Sequence, residues 1–429
     1  MSKVDRRTIP AIDCIADFNI KRPVKKIMPN GVALNIIDTG MEDVIRLDLV
    51  IGSGQLDQSF PLQAMMTNRM LREGTRKMTS AEIAEKLDFY GAWLDLSSSV
   101  NSGFITLYSL GKFFEKTIGV LAQMVKEPVF PERELRIVTE ANKQMYLVNA
   151  QRVEVMARKR LNKELFGPEH PLGRFAETED YERLSVEMLK DFYRENYYSD
   201  NCTMFVAGRV TDRVLKCIEE HFGDTPWGEN RKKTNPVMPE PRGAVQKRVT
   251  VEKKDGMQSS VKIGCLLPDR KHEDFLDLKV MNTIMGGYFG SRLMKNIRED
   301  KGYTYGIGSG IVSYPGLSML VISTETGNEY VESVIKEVKA ETDRLKSTLA
   351  DRDELNMVKN YMMGDICRAY ENALSITEAW IYVHTAGTDE NFFDRSVESI
   401  KNITEKRIME LAEKYLDWNG MVEIVAGNV

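Results

Sequence analysis

The chain has 429 residues, of which 42% are apolar and 29% charged, with a formal net charge of −5. This length predicts two or three domains, and this balance reads as a soluble globular protein with ample core. The negative charge argues against a nucleic acid as partner, and no uninterrupted apolar run approaches the roughly 20 residues that span a bilayer. Five scattered cysteines, Cys14, Cys202, Cys217, Cys265 and Cys367, include no C-x-x-C pair. They read as free thiols, mostly in the core, in a reducing compartment. The opening M-S-K-V-D-R-R-T-I-P has no apolar h-region, so the expected location is the cytoplasm. The four histidines are His170, His221, His272 and His384, and the closest are 51 residues apart (170 to 221). No H-x-x-x-H pair can therefore offer two imidazoles on one helical face, which leaves only a metal site built from distant residues.

In chain order, P-N-G at 29–31 signals a turn and is followed by a strand ending near Asp38. A second strand places Ile45, Leu47, Leu49 and Ile51 on one face and Arg46 and Asp48 on the other, the alternation expected when one sheet face is covered. Residues 61–72, with Leu62, Met65, Met66 and Met70, predict a helix. Another begins at Thr79-Ser80-Ala81-Glu82, a capping box. Strand 103–110, helix 113–125 and a charged helix over 131–163 follow. The segment 223–245 holds Pro226, Pro236, Pro239, Pro241, Gly228 and Gly243 with the basic run Arg231, Lys232 and Lys233, and reads as a solvated linker. Beyond it the same order returns: a strand with Val261, Ile263 and Cys265 around Lys262, a helix over 274–284, a strand over 317–324, and helices over 330–345 and 351–383. The expected fold is α+β, with two like halves, 1–222 and 246–429, and helices on one face of each mixed sheet.

Between helix 274–284 and strand 317–324 lies M-G-G-Y-F-G-S-R-L-M-K-N-I-R-E-D-K-G-Y-T-Y-G-I-G-S-G at 285–310. It reads as glycine loop, helix, tight turn at Gly302 and strand, with Arg298 near the helix end and Tyr305 early in the strand. This stretch resembles the substrate-gripping segment of the insulinase/pitrilysin-type zinc peptidases, the inverted H-x-x-E-H group that includes the mitochondrial processing peptidase and two-subunit bacterial relatives. I-G-S-G at 51–54, H-P-L-G at 170–173 and E-N-Y-Y-S-D-N-C-T-M-F-V-A-G at 195–208 are similar to other segments of that family and stand in its order. The resemblance covers nearly the whole chain.

The family's zinc helix ends in Gly-Thr, kept here as Gly74-Thr75 in M-T-N-R-M-L-R-E-G-T. Counting back, the resemblance puts Met65 and Arg69 at the two histidine positions, Asn68 at the general-base glutamate and Glu140 at the third ligand. A thioether is a poor zinc ligand, a guanidinium has no lone pair to give, and an amide cannot take a proton from water as a carboxylate does. The resemblance therefore implies no metal or other cofactor in this chain and zinc in a partner chain. It also suggests that Arg69 compensates Glu140. Arg298 and Tyr305 survive, and in the family residues at these positions hold the substrate carbonyl and the tetrahedral intermediate. A guanidinium and a phenol both donate to a developing oxyanion. Their structural alternatives are a solvated arginine favouring a helix C-terminus and a tyrosine packed on a sheet face with Tyr303 and Ile307. Gly286 and Gly287 allow backbone closed to other residues, and the resemblance links them to substrate handling. They lack the spacing of a phosphate loop.

The expected function is a catalytically incomplete subunit of a two-chain zinc peptidase. Its partners would be a homologous zinc-binding subunit and an unfolded peptide, with no nucleic acid and no membrane, and a homodimer is open to the isolated chain. A structural or assembly protein of the same fold is the alternative from another class, and a hydrolase with unconventional ligands is a third.

Overall fold

The computed structural model describes residues 19–40, 43–229, 238–243 and 246–428. Cys14 and most of the basic, proline-containing part of the expected linker lie outside them. Before that linker the chain runs β1 (Val24–Ile27), β2 (Ala33–Asp38), β3 (Val44–Ile51), α1 (Gln63–Met70), α2 (Ser80–Phe89), β4 (Trp93–Ser98), β5 (Gly103–Leu110), α3 (Phe114–Lys126), α4 (Glu132–Ala150), α5 (Val153–Phe166), α6 (Thr178–Arg183), α7 (Val186–Asn196), β6 (Cys202–Gly208) and α8 (Asp212–Ile218). After it come β7 (Arg248–Glu252), β8 (Gln258–Leu267), α9 (Phe275–Asn282), β9 (Thr304–Tyr314), β10 (Leu317–Gly327), α10 (Val331–Ser347), α11 (Arg352–Ala369), α12 (Ala373–Ala386), α13 (Phe392–Asn402), α14 (Glu405–Tyr415) and β11 (Val422–Gly427).

Among the described residues the strands form two mixed sheets, ordered β1-β2-β6-β3-β5-β4 and β7-β11-β8-β10-β9. Setting β1 aside, the two orders match strand for strand. So do the pairings: β2 with β6 and β7 with β11 are parallel, and the others are antiparallel. The α+β duplication expected from the sequence is thus present in the topology. The capping box at Thr79 forms as its residues require, with the hydroxyl receiving the Glu82 amide. The two long charged helices are each broken in two. Helix 131–163 divides at Gln151–Arg152 into α4 and α5, and 351–383 divides at Tyr370–Asn372 into α11 and α12.

The breaks carry the main lesson of the fold. Ile45, Leu47, Leu49 and Ile51 bury one face of the first sheet against helices of its own half. The opposite face receives α12 from the other half, through Ile37, Val50, Phe205 and Ala207 against Ala373, Ile376 and Trp380. Reciprocally, α5 crosses to the second sheet and packs Ala157, Leu161 and Leu165 on Met319, Val422 and Ile424. The expected exposed polar face of β3 is therefore buried. Arg46 makes a two-pronged pair with Asp48, at 2.8 and 3.0 Å, and reaches Glu378 of α12 at 2.9 Å. Thr106 also donates to Asp48 at 2.7 Å. Burial opposes the charge on Arg46, but the two carboxylates outweigh it and hold the guanidinium above its ordinary value. In the second half, buried Lys262 of β8 pairs at 3.3 Å with Glu154 of α5 and donates to Ser323 at 2.8 Å. Each sheet thus carries one buried cation on a central strand, tied to a glutamate on the helix it borrows.

Candidate functional site

The helix at the expected metal position, α1, packs against β4, β5 and α7. Asn68, 1% exposed, turns its amide into the sheet and donates to the carbonyls of Ser97 and Phe104. Its side-chain oxygen is buried without a partner among the described residues. The side chain at the position expected for a general base thus braces β4 to β5. Met65 is partly exposed and lines a cavity of about 470 Å³ with Phe60, Leu62, Ser98 and Phe175. Leu62, just before the helix, holds a left-handed φ of +72°. Arg69 donates to the side-chain oxygen of Asn142 at 3.0 Å. The expected pairing of Arg69 with Glu140 does not form, because Asn142 is the α4 side chain within reach of the guanidinium. Glu140 instead accepts from Gln144, one turn further along α4, at 2.7 Å. These residues do not fit zinc: one is turned inward, one is a bound cation and one is a thioether. Among the described residues no cluster of three or more histidine, cysteine, aspartate or glutamate side chains is placed to hold a metal ion.

The corresponding segment of the second half is built differently. After α9 the helix widens into π-type turns at Thr283–Gly287 and again at Met294–Asp300, where an ordinary helix was expected. Gly286 has a packing reason, since a Cβ there would lie 2.6 Å from both the amide nitrogen and the hydroxyl of Ser309 on β9. Asn282 reaches the Ser309 carbonyl at 3.3 Å, repeating the inward-turned asparagine of α1. The segment is fixed to its surroundings by three polar ties. Arg292 grips Glu354 at 2.8 and 2.7 Å, Asn296 donates to Glu341 at 2.6 Å, and Lys301 pairs with Glu337 at 2.5 Å. Gly302, with φ of +67°, makes the turn into β9.

Tyr305 sits where the pairing of β9 with β10 is irregular. Ile307 opposes Thr324 and Thr304 opposes Thr326, so Tyr305 and Gly306 together face Glu325. Such a bulge re-aims a side chain. Tyr305 is 93% exposed, whereas Tyr303 stacks on Tyr330 and Ile307 is buried. The alternative that Tyr305 packs on the sheet face is thereby excluded. Arg298, at the end of the second π turn, lies with its guanidinium carbon 4.6 Å from the ring centre of Phe289 and a guanidinium nitrogen 3.9 Å from a Glu299 oxygen. Phe289 is itself 65% exposed. Sequence reasoning missed Phe289. An aromatic nine residues before Arg298, in a glycine-flanked loop, was the available signal. No hydrogen bond or ion pair joins Arg298 to Tyr305 among the described residues. Gly287 lies at the surface end of the same loop, tight against Asn282.

Residues 183–362 match the family model described as Peptidase M16 inactive domain. An uncharacterized zinc protease, YmxG, of Bacillus subtilis is 24% identical over 350 residues, covering 81% of this chain and 84% of the relative. A protein named as a non-peptidase homolog, YmxG, of Helicobacter pylori is 24% identical over 390 residues, covering 88% and 87%. Among solved structures, a peptidase M16 inactive domain from Pseudomonas fluorescens superposes with a TM-score of 0.85 at 21% identity, covering 95% of this chain and 98% of that one. By sequence and by fold the chain resembles the inactive members of the M16, insulinase-type peptidases, and its α1 carries none of the zinc ligands expected of that group.

Proposed function

We propose that this chain is the non-catalytic subunit of a two-chain zinc peptidase and supplies Arg298 and Tyr305 to a homologous partner carrying H-x-x-E-H. The observation that supports this most is the contrast between Tyr305 and Asn68. The phenol stands almost fully in solvent on a bulged, braced strand, while the group at the general-base position is buried in a structural role. A large aromatic held outward by a bulge gives the isolated fold no burial energy, so its use lies in contact with something else. The partner supplies the metal-activated water. This chain contributes two donors, the Tyr305 hydroxyl and the Arg298 guanidinium, positioned to hold a peptide carbonyl and to strengthen as its oxygen becomes an oxyanion. The substrate is an unfolded peptide, and Phe289 and Gly287 line its approach, while Gly286 fixes the loop against β9. The described cysteines are unpaired, which fits a reducing, cytoplasmic setting, and no described helix is long and apolar enough to cross a membrane.

A second reading, an assembly protein without a role in peptide cleavage, is favoured by the name of the H. pylori relative, a non-peptidase homolog. Peptide cleavage by this chain, by an H-x-x-E-H homologue and by their mixture separates the two. Activity that appears or rises strongly only in the mixture supports the subunit reading, and a mixture no more active than the homologue alone supports the assembly reading.

A further inference from the structure

A second region of the second half carries a cation, Arg270, that forms no ion pair with a carboxylate among the described residues. Arg270 follows β8 and lines a cleft of about 610 Å³ between the two halves. Its guanidinium lies 4.3 Å from the ring centre of Tyr382, and one nitrogen donates to the Ser313 carbonyl at 3.4 Å. Its Nε is buried with no partner among the described residues. Three carboxylates line the same cleft, and among the described residues none forms an ion pair with it. Asp57 accepts the Gly54 amide, Asp269 accepts the Lys271 amide, and Asp200 receives the Ser199 hydroxyl. A guanidinium that faces a cleft with its Nε buried and no counter-ion among the described residues is left with hydrogen-bonding capacity and charge that a ligand carboxylate would satisfy.

We propose that Arg270 forms a carboxylate-binding subsite in the cleft between the halves. It takes an acidic side chain or the terminal carboxylate of a bound peptide, and it rests on the peptide-binding reading above. The ruler is β9. Arg270 touches Ser313 near one end and Tyr305 stands at the other, eight residues away, which is about 26 Å at roughly 3.3 Å per residue. A peptide held at Tyr305 therefore places its acidic group at Arg270 about eight extended residues from the bond at Tyr305.

The test uses the full chain and labelled, amidated, otherwise neutral peptides in which a single glutamate is moved along the sequence. A glutamate-free peptide with a free C-terminus forms the other arm, and binding is followed by fluorescence anisotropy. One glutamate position, or the free terminus, is expected to bind at least about tenfold tighter than the neutral peptide, a difference of about 1.4 kcal/mol. Arg270→Gln should remove that preference and leave neutral binding in place, and Arg270→Lys, which keeps the charge but not the planar two-pronged geometry, should keep only part of it. Equal affinity for every peptide overturns the subsite and spares the peptide-binding reading. Absence of binding by all peptides overturns both. A folded Arg270→Gln chain that keeps the preference also overturns the subsite.

Discussion

The two halves use one scaffold to opposite ends, and the contrast is sharpest at their paired asparagines. Asn68 and Asn282 each follow the same strand of their sheet, each turn an amide onto the carbonyl of the outer strand, and each leave a buried oxygen unpaired. Beyond them the halves diverge. In the first, Arg69 is engaged by Asn142 and the helix ends in a packed turn. In the second, the helix widens into π turns, which favour functional positions, and sets Phe289, Arg298 and Tyr305 toward solvent. In the first half the segment serves as a brace. The second half kept side chains whose placement the brace alone does not explain.

The largest expected effect compares the two buried cations. Arg46→Met leaves Asp48 buried and unpaired, and should destabilise the chain by about 3–5 kcal/mol. Lys262→Met strands only Glu154, whose side chain is 32% exposed, so its cost should be smaller, about 1.5–3 kcal/mol. Urea unfolding of both variants checks the order. Equal losses would mean that the borrowed helices are not held as the structure shows.

The next effect separates the halves by pH. Asp274 in the second half is buried, which by itself raises its pKa. Donors from Lys414, Tyr415 and Arg407 outweigh burial and hold the carboxyl well below the ordinary range. A depressed folded-state pKa gives stability that is fully present above the unfolded value, about 3.9, and is lost as pH falls through the folded one. Asp274→Asn should therefore be less stable than the parent at pH 7, with the gap closing below about pH 4. Thermal melts across pH 7 to 2 check this, and a gap independent of pH would contradict it.

The smallest effect is at the vestigial metal position. Arg69→Ala removes one exposed hydrogen bond and should change stability by no more than about 0.5 kcal/mol, as measured by the same unfolding assay. A much larger loss would mean that Arg69 is part of the brace.

Much of this was legible in the sequence for physical reasons. The alternation of Ile45, Leu47, Leu49 and Ile51 fixes a strand with one face in the core, and repetition of the element order predicts the duplicated sheets. The exchange of α5 and α12 was not legible. Arg46, Asp48 and Lys262 read as solvent-facing, and only their partners across the halves, distant in the chain, show otherwise. The residue types at Met65, Asn68 and Arg69 are unsuited to zinc on chemical grounds. That Asn68 points inward, and that Arg69 meets Asn142 rather than Glu140, depends on helix rotation, which residue counting does not resolve. The exposure of Tyr305 depends on a one-residue bulge, and no local signal distinguishes it from a packed strand tyrosine.

The most direct measurement is kcat/KM for peptide cleavage by a verified complex of this chain with an H-x-x-E-H homologue, comparing the parent with Tyr305→Phe. The substitution removes one hydroxyl and keeps the ring, so assembly and stability should be unchanged. Loss of a transition-state donor should lower kcat/KM by about 10²–10³-fold, with Arg298→Ala giving a loss of similar size. Full activity of both variants in the assembled complex would contradict the account and leave this chain a scaffold.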